Sequence, residues 1–132
     1  IDIRNVLIDD EDHVFLLDPG RMKITFREAD LARFLMTYRI LFWGSPLFGL
    51  GVRPDASAES AFLQAYYANG SSMRSRLLDF FLLKEQLKHW HTAVDSLNKK
   101  PWLPIAKRLV RLLYINPFYI RQVTDELGRL IR

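Results

Sequence analysis

The chain contains no cysteine. That excludes disulfides and thiolate zinc sites, and it suits a reducing compartment. No apolar run reaches membrane-spanning length, because Arg39, Lys84 and Lys88 interrupt the longest ones. The N-terminus has neither the basic start nor the apolar stretch of a signal peptide. Internal repeats, low-complexity tracts and Gly-x-Ser-x-Gly elbows are missing, and no hydrolase triad is visible. What remains is a chain of 132 residues, 49% hydrophobic and 13% aromatic, large enough to bury a core. That composition fits one folded domain rather than disorder.

Charge is unevenly distributed. Residues 1–72 carry 7 basic and 10 acidic side chains, whereas residues 99–132 carry 8 and 2. The basic excess therefore belongs to the C-terminal quarter. It is modest and no nucleic-acid motif accompanies it, so no nucleic-acid partner is expected.

Residues 3–8 and 13–17 read as two short strands, with Asp9-Asp10-Glu11-Asp12 as a solvated turn and Pro19-Gly20 as a stop. Five helices are expected after them. The first covers 26–43, with Thr25 as N-cap and Glu28 at the capping-box position. It is built on Leu31, Phe34, Leu35, Tyr38 and Leu41-Phe42. The second covers about 57–68, with Phe62 and Tyr66 on its apolar side. The third covers about 73–98, on Leu77, Phe80-Phe81, Leu87, Trp90, Val94 and Leu97. The last two cover about 102–114 and 117–131, separated by Ile115-Asn116-Pro117. The expected fold is mainly α with a short N-terminal β-hairpin, in one domain or subdomain: a hairpin segment over 1–20 and a helical body over 21–132.

Asn5 and Asp18 are the residues that point to chemistry. They stand 13 positions apart, one at the start of the first strand and one at the end of the second. An amide oxygen and a carboxylate are hard donors of the kind Mg²⁺ takes when it also holds nucleotide phosphates. Asn and Asp are also common turn formers, so the residues alone leave a plain turn open. His89 and His91 are a weaker lead. At i and i+2 on a helix they point about 200° apart and cannot chelate one ion together. His13 is expected to be solvated. The acidic turn lacks the spacing of a calcium loop. Trp43, Trp90 and Trp102 read as core or edge aromatics, with Trp43 a candidate for lining a cleft.

The block Asn5-Val6-Leu7-Ile8, hairpin, Phe15-Leu16-Leu17-Asp18-Pro19-Gly20 resembles the metal-binding half of a kinase site. In protein kinases an Asp stands five positions before the Asn, and Asp-Phe-Gly follows the hairpin. The aminoglycoside phosphotransferase and choline kinase type is the nearer match. Asp30-Leu31-Ala32, 12 positions after Asp18, and Phe62…Tyr66 resemble motifs further along that family. The resemblance spans roughly residues 2–67. It implies the C-terminal lobe of a protein-kinase-like fold, beginning inside the catalytic loop, with its N-terminal lobe absent. It implies Mg²⁺ and ATP as cofactors, with Asn5 and Asp18 holding the metal and Asp30 bracing the loop from beneath as structural support. The intact protein would be a cytoplasmic kinase that moves the γ-phosphoryl of ATP to a small hydroxyl-bearing acceptor. Pro19 replaces the familiar Phe, so a switchable Phe is not expected. The catalytic base would fall just before Ile1, and the Gly-rich loop and phosphate-gripping Lys are also missing, so this chain alone is expected to be inactive. The alternative is a non-catalytic kinase-like helical module docking on an anionic partner or membrane surface.

One further stretch has two readings. Leu103, Ala106, Leu109, Val110 and Leu113 form an apolar stripe, with Lys107, Arg108 and Arg111 to one side. A peripheral membrane contact through 99–114 is one reading. The favoured reading packs the stripe on the long helix and leaves the cations solvated.

Overall fold

The computed structural model describes residues 5–17, 26–43, 55–68 and 75–132, with the backbone alone at Phe42 and Trp43. Asp18 lies outside the described residues, as do Pro19-Gly20, Thr25 and the Asn69–Ser72 stop. The architecture is mainly helical, with a two-stranded antiparallel hairpin at the N-terminal end.

The strands are β1 (Val6–Ile8) and β2 (Val14–Leu16), paired Val6 with Leu16, Leu7 with Phe15 and Ile8 with Val14. The turn between them folds on Asp9. Its carboxylate accepts the backbone N–H groups of Glu11 and His13 at 2.9 Å each, and sits 3.0 Å from His13 Nδ1. Those bonds, the His13 backbone bond first, hold the Asp9 carboxyl below its ordinary pKa. Asp12 takes the left-handed conformation that closes the turn, with φ of 62°. The turn is exposed throughout, as its composition implies.

Five α-helices follow: α1 (Arg27–Trp43), α2 (Ala56–Tyr67), α3 (Arg76–Asn98), α4 (Pro104–Val110) and α5 (Asn116–Ile131). Asp55 caps α2 by accepting Ser57 N–H at 2.8 Å, and Ser75 caps α3 by accepting Leu78 N–H at 3.2 Å. The expected break at Asn116-Pro117 does not occur. Arg111–Ile115 instead forms a π-helical turn that runs α4 into α5, and Asn116 N–H bonds the Arg111 carbonyl. Pro117 has no N–H, and its ring crowds the carbonyl four residues back. One widened turn absorbs that conflict without ending the helix.

The core is two clusters along α3. Leu31, Ala32, Leu35, Tyr67, Leu78 and Leu82 join α1, α2 and α3. Met36, Leu97, Ile115, Phe118 and Tyr119 join α1, α3 and α5, with Trp90 and Val94 against them. Between the clusters lies a polar layer. Gln86 is fully buried there, and Arg39 of α1 spans to α2 and α5.

This packing corrects the phase expected for three helices. On α3, Leu78, Asp79, Leu82 and Gln86 turn inward while Leu77, Phe80 and Leu87 are exposed; Phe81, Trp90, Val94 and Leu97 pack on the core as expected. The first half of α3 is apolar on nearly every side, so spacing there leaves the rotation open. On α1, Leu41 is exposed and Arg39 is buried, because ion pairs satisfy the guanidinium. On α2, Tyr67 rather than Tyr66 turns inward.

Candidate functional site

The hairpin places the first half of the expected metal site. Beyond the strand pairs, Leu17 N–H donates to the Asn5 carbonyl at 2.7 Å. Asn5 is therefore tied across the hairpin to the residue that immediately precedes Asp18 in the chain. Asp18 itself lies outside the described residues.

The two faces of the hairpin differ. Val6, Val14 and Leu16 face the helices and line an apolar recess of about 400 Å³ with Leu31 and Phe34 of α1 and Phe62 and Tyr66 of α2. Phe34 and Phe62 stack across it, their centroids 4.8 Å apart. Alternation along the strands sends the Leu7–Phe15 pair to the opposite, open face. Leu7 and Phe15 are each half exposed. An apolar platform beside a hard oxygen donor can seat an aromatic base with its anionic tail toward a cation.

Asp30 does not match expectation. It was expected to be buried or half-buried beneath the loop, and it is exposed, on the rim of the apolar recess. Glu28, Leu31, Ala32 and Leu35 occupy the inward side of α1, and position 30 falls nearly opposite them on the helical wheel. The first turn of α1 is instead fastened elsewhere. Arg27 Nε lies 3.2 Å from Glu28 Oε1 and its guanidinium stands 5.7 Å over the Tyr67 ring.

A second polar assembly went unread in the sequence. Arg39 Nε bonds Glu59 Oε2 at 2.9 Å, and its Nη2 bonds the other oxygen of the same carboxylate. Its Nη1 reaches Gln122 Oε1 at 3.0 Å and Glu126 Oε1 at 3.2 Å. Arg129 reaches the same Glu126 oxygen at 2.9 Å. Burial acts most strongly on Arg39 and opposes its charge, but the bonds and charges of Glu59 and Glu126 outweigh it and hold the pKa above the ordinary value. Glu59, Glu126, Ser60, Gln64 and Arg129 line a groove of about 400 Å³ at this edge. The sequence signal was an Arg interrupting the apolar second half of α1.

The remaining candidates behave as spacing implies. His91 is exposed and His89 half-buried, 3.8 Å from Glu85. Among the described residues, no three His, Cys, Asp or Glu side chains gather in a metal-holding group. The donors at issue are an amide and a carboxylate, a hard set that suits Mg²⁺ rather than zinc. Trp90 is a core aromatic, Trp102 is exposed, and the Trp43 side chain lies outside the described residues.

No family model matches the sequence, and no curated protein or solved structure matches it either.

Proposed function

We propose that this chain is the helical lobe of an ATP-dependent phosphotransferase that acts on a hydroxyl group of a small molecule. The observation that carries the reading is the hairpin register, which ties Asn5 to the residue before Asp18. The motif order Asn5, hairpin, Asp18 and Asp30-Leu31-Ala32 adds to it.

In this reading Asn5 and Asp18 hold a Mg²⁺ ion. When bound, that ion neutralises phosphate charge and polarises the bond to the transferred group. The chain's own contribution is positional. Val6, Val14 and Leu16 line a recess with residues of α1 and α2, and the Leu7–Phe15 pair lies on the other face of the hairpin. A bound nucleotide would rest its base on the exposed Leu7–Phe15 pair, with Asn5 and Asp18 available to the metal that accompanies its phosphates. In this reading the acceptor-orienting carboxylate and the phosphate-gripping Lys are not among these 132 residues. Since positioning dominates phosphoryl transfer, the 132-residue chain alone turns over no ATP.

The test is Asp18→Asn in the intact phosphotransferase. A hard carboxylate becomes a neutral amide of the same shape, and turnover falls by about 10²-fold or more, the scale of a single preorganised electrostatic contact. Near-normal turnover of a well-folded variant overturns the reading.

A further inference from the structure

The join between α4 and α5 presents an apolar edge that is exposed among the described residues. Ala106 and Val110 turn toward the body, and Val110 packs on the cluster around Tyr119. Ile105, Leu109, Leu112 and Leu113 point outward, between 48% and 67% exposed. Their spacing is that of one helix face. This corrects the expectation that Leu109 and Leu113 pack on the long helix: α3 meets Val110, Ile115, Phe118 and Tyr119 there, and Leu109 and Leu113 are exposed. Leu103 is 73% exposed, and Trp102 and Tyr114 bracket the edge, each 49% exposed.

The charge around this edge has one sign. From residue 96 to residue 124 there is no acidic side chain, against six basic ones. Arg108 and Arg111 are exposed and make no ion pair among the described residues. With Lys107 they line a recess of about 230 Å³ between the end of α3 and the start of α4, which also includes Leu97, Asn98 and Pro104. Lys107 is committed inward, donating to the Asn98 carbonyl at 2.7 Å. Its charge remains in the recess while its position is held.

We propose that residues 102–114 form an interfacial anchor that seats this protein on an anionic phospholipid bilayer. Ile105, Leu109, Leu112 and Leu113 enter the boundary between headgroups and acyl chains. Trp102 and Tyr114 sit at headgroup depth, where amphipathic rings are favoured. Arg108 and Arg111 meet lipid phosphates at the recess. An apolar stripe flanked by cations is the pattern of a helix that lies in the membrane plane. Among the described residues, no helix is long and apolar enough to cross a membrane, so the contact is peripheral. Charge complementarity favours lipid over a protein groove, because an uninterrupted single-sign flank matches a continuous anionic sheet. The anchor rests on this edge alone and stands or falls independently of the phosphotransfer reading.

Co-sedimentation of the 132-residue chain with vesicles decides it. The chain pellets with phosphatidylcholine vesicles containing one third phosphatidylglycerol at low ionic strength. It stays in solution with pure phosphatidylcholine, and it is released in molar salt. Arg108→Gln with Arg111→Gln weakens binding by roughly 30-fold, at about a tenfold loss for every 1.4 kcal/mol and about 1 kcal/mol per cation. Ile105→Ser with Leu109→Ser abolishes it. All four side chains are exposed, so circular dichroism of these variants matches the parent. Failure to pellet with the anionic vesicles overturns the proposal, and so does binding that neither pair of variants weakens. Concentration-dependent self-association that Ile105→Ser with Leu109→Ser removes, without vesicle binding, assigns the edge to a second copy of the chain and also overturns it.

Discussion

Arg39 and Glu126 meet at 3.2 Å although 87 positions separate them in the chain, and the Glu126 side chain is 1% exposed. The pair fastens α1 to α5, and Glu59 extends it to α2. A buried charge is tolerated only while its partner is present. Removing the guanidinium takes from Glu59 and the buried Glu126 the cation they share, although Arg129 stays 2.9 Å from Glu126.

Arg39→Ala therefore costs about 3–5 kcal/mol of folding stability in urea denaturation. Glu126→Gln in that background recovers part of the loss, because it removes a buried carboxylate that has lost the Arg39 guanidinium. The two substitutions are strongly non-additive as a result. Additive losses would show that Arg39 and Glu126 are not energetically coupled.

Alkaline stability turns on Tyr119. Its side chain is 1% exposed, and burial pushes its pKa up to about 12. In the unfolded chain a tyrosine ionises near 10. Between these values the folded state keeps the proton and the unfolded state releases it, so stability falls as pH rises. The contribution is intact below pH 10, is lost progressively up to about pH 12, and amounts to about 2–3 kcal/mol. Chemical denaturation across this window shows the decline, and Tyr119→Phe flattens it. An unchanged slope in that variant would assign the effect elsewhere. Trp90 stacks on Tyr119 with an interplanar angle of 5° and centroids 6.0 Å apart, so its fluorescence follows the same transition.

The helices and the hairpin were legible because their signals are local. Turn chemistry at Asp9–Asp12, apolar spacing and the breaks at Gly and Pro place most elements within a few residues. What was not legible depends on partners distant in sequence. Arg39 reads as an interruption of an apolar helix until Glu59 and Glu126 arrive from α2 and α5. Gln86 reads as surface until two apolar clusters close on either side of it. Pro117 reads as a stop because a π turn carries no sequence mark that periodicity detects. Asp30 shows the reverse error. The resemblance implied a place beneath the loop, but a helical residue one step from an inward Leu faces sideways or out. Of the candidate metal site, Asn5 is placed and tied to Leu17; the other donor, Asp18, is legible from the motif alone.

The most direct test of the metal site is paramagnetic broadening by Mn²⁺, a stand-in for Mg²⁺, in amide spectra of the 132-residue chain. If Asn5 and Asp18 share an ion, the Asn5 side-chain amide and the Leu17 backbone amide broaden first, and Asp18→Asn abolishes that broadening while leaving the Asp9–Asp12 turn unaffected. Broadening confined to the Asp9–Asp12 turn, or broadening at Asn5 that survives Asp18→Asn, would contradict the account.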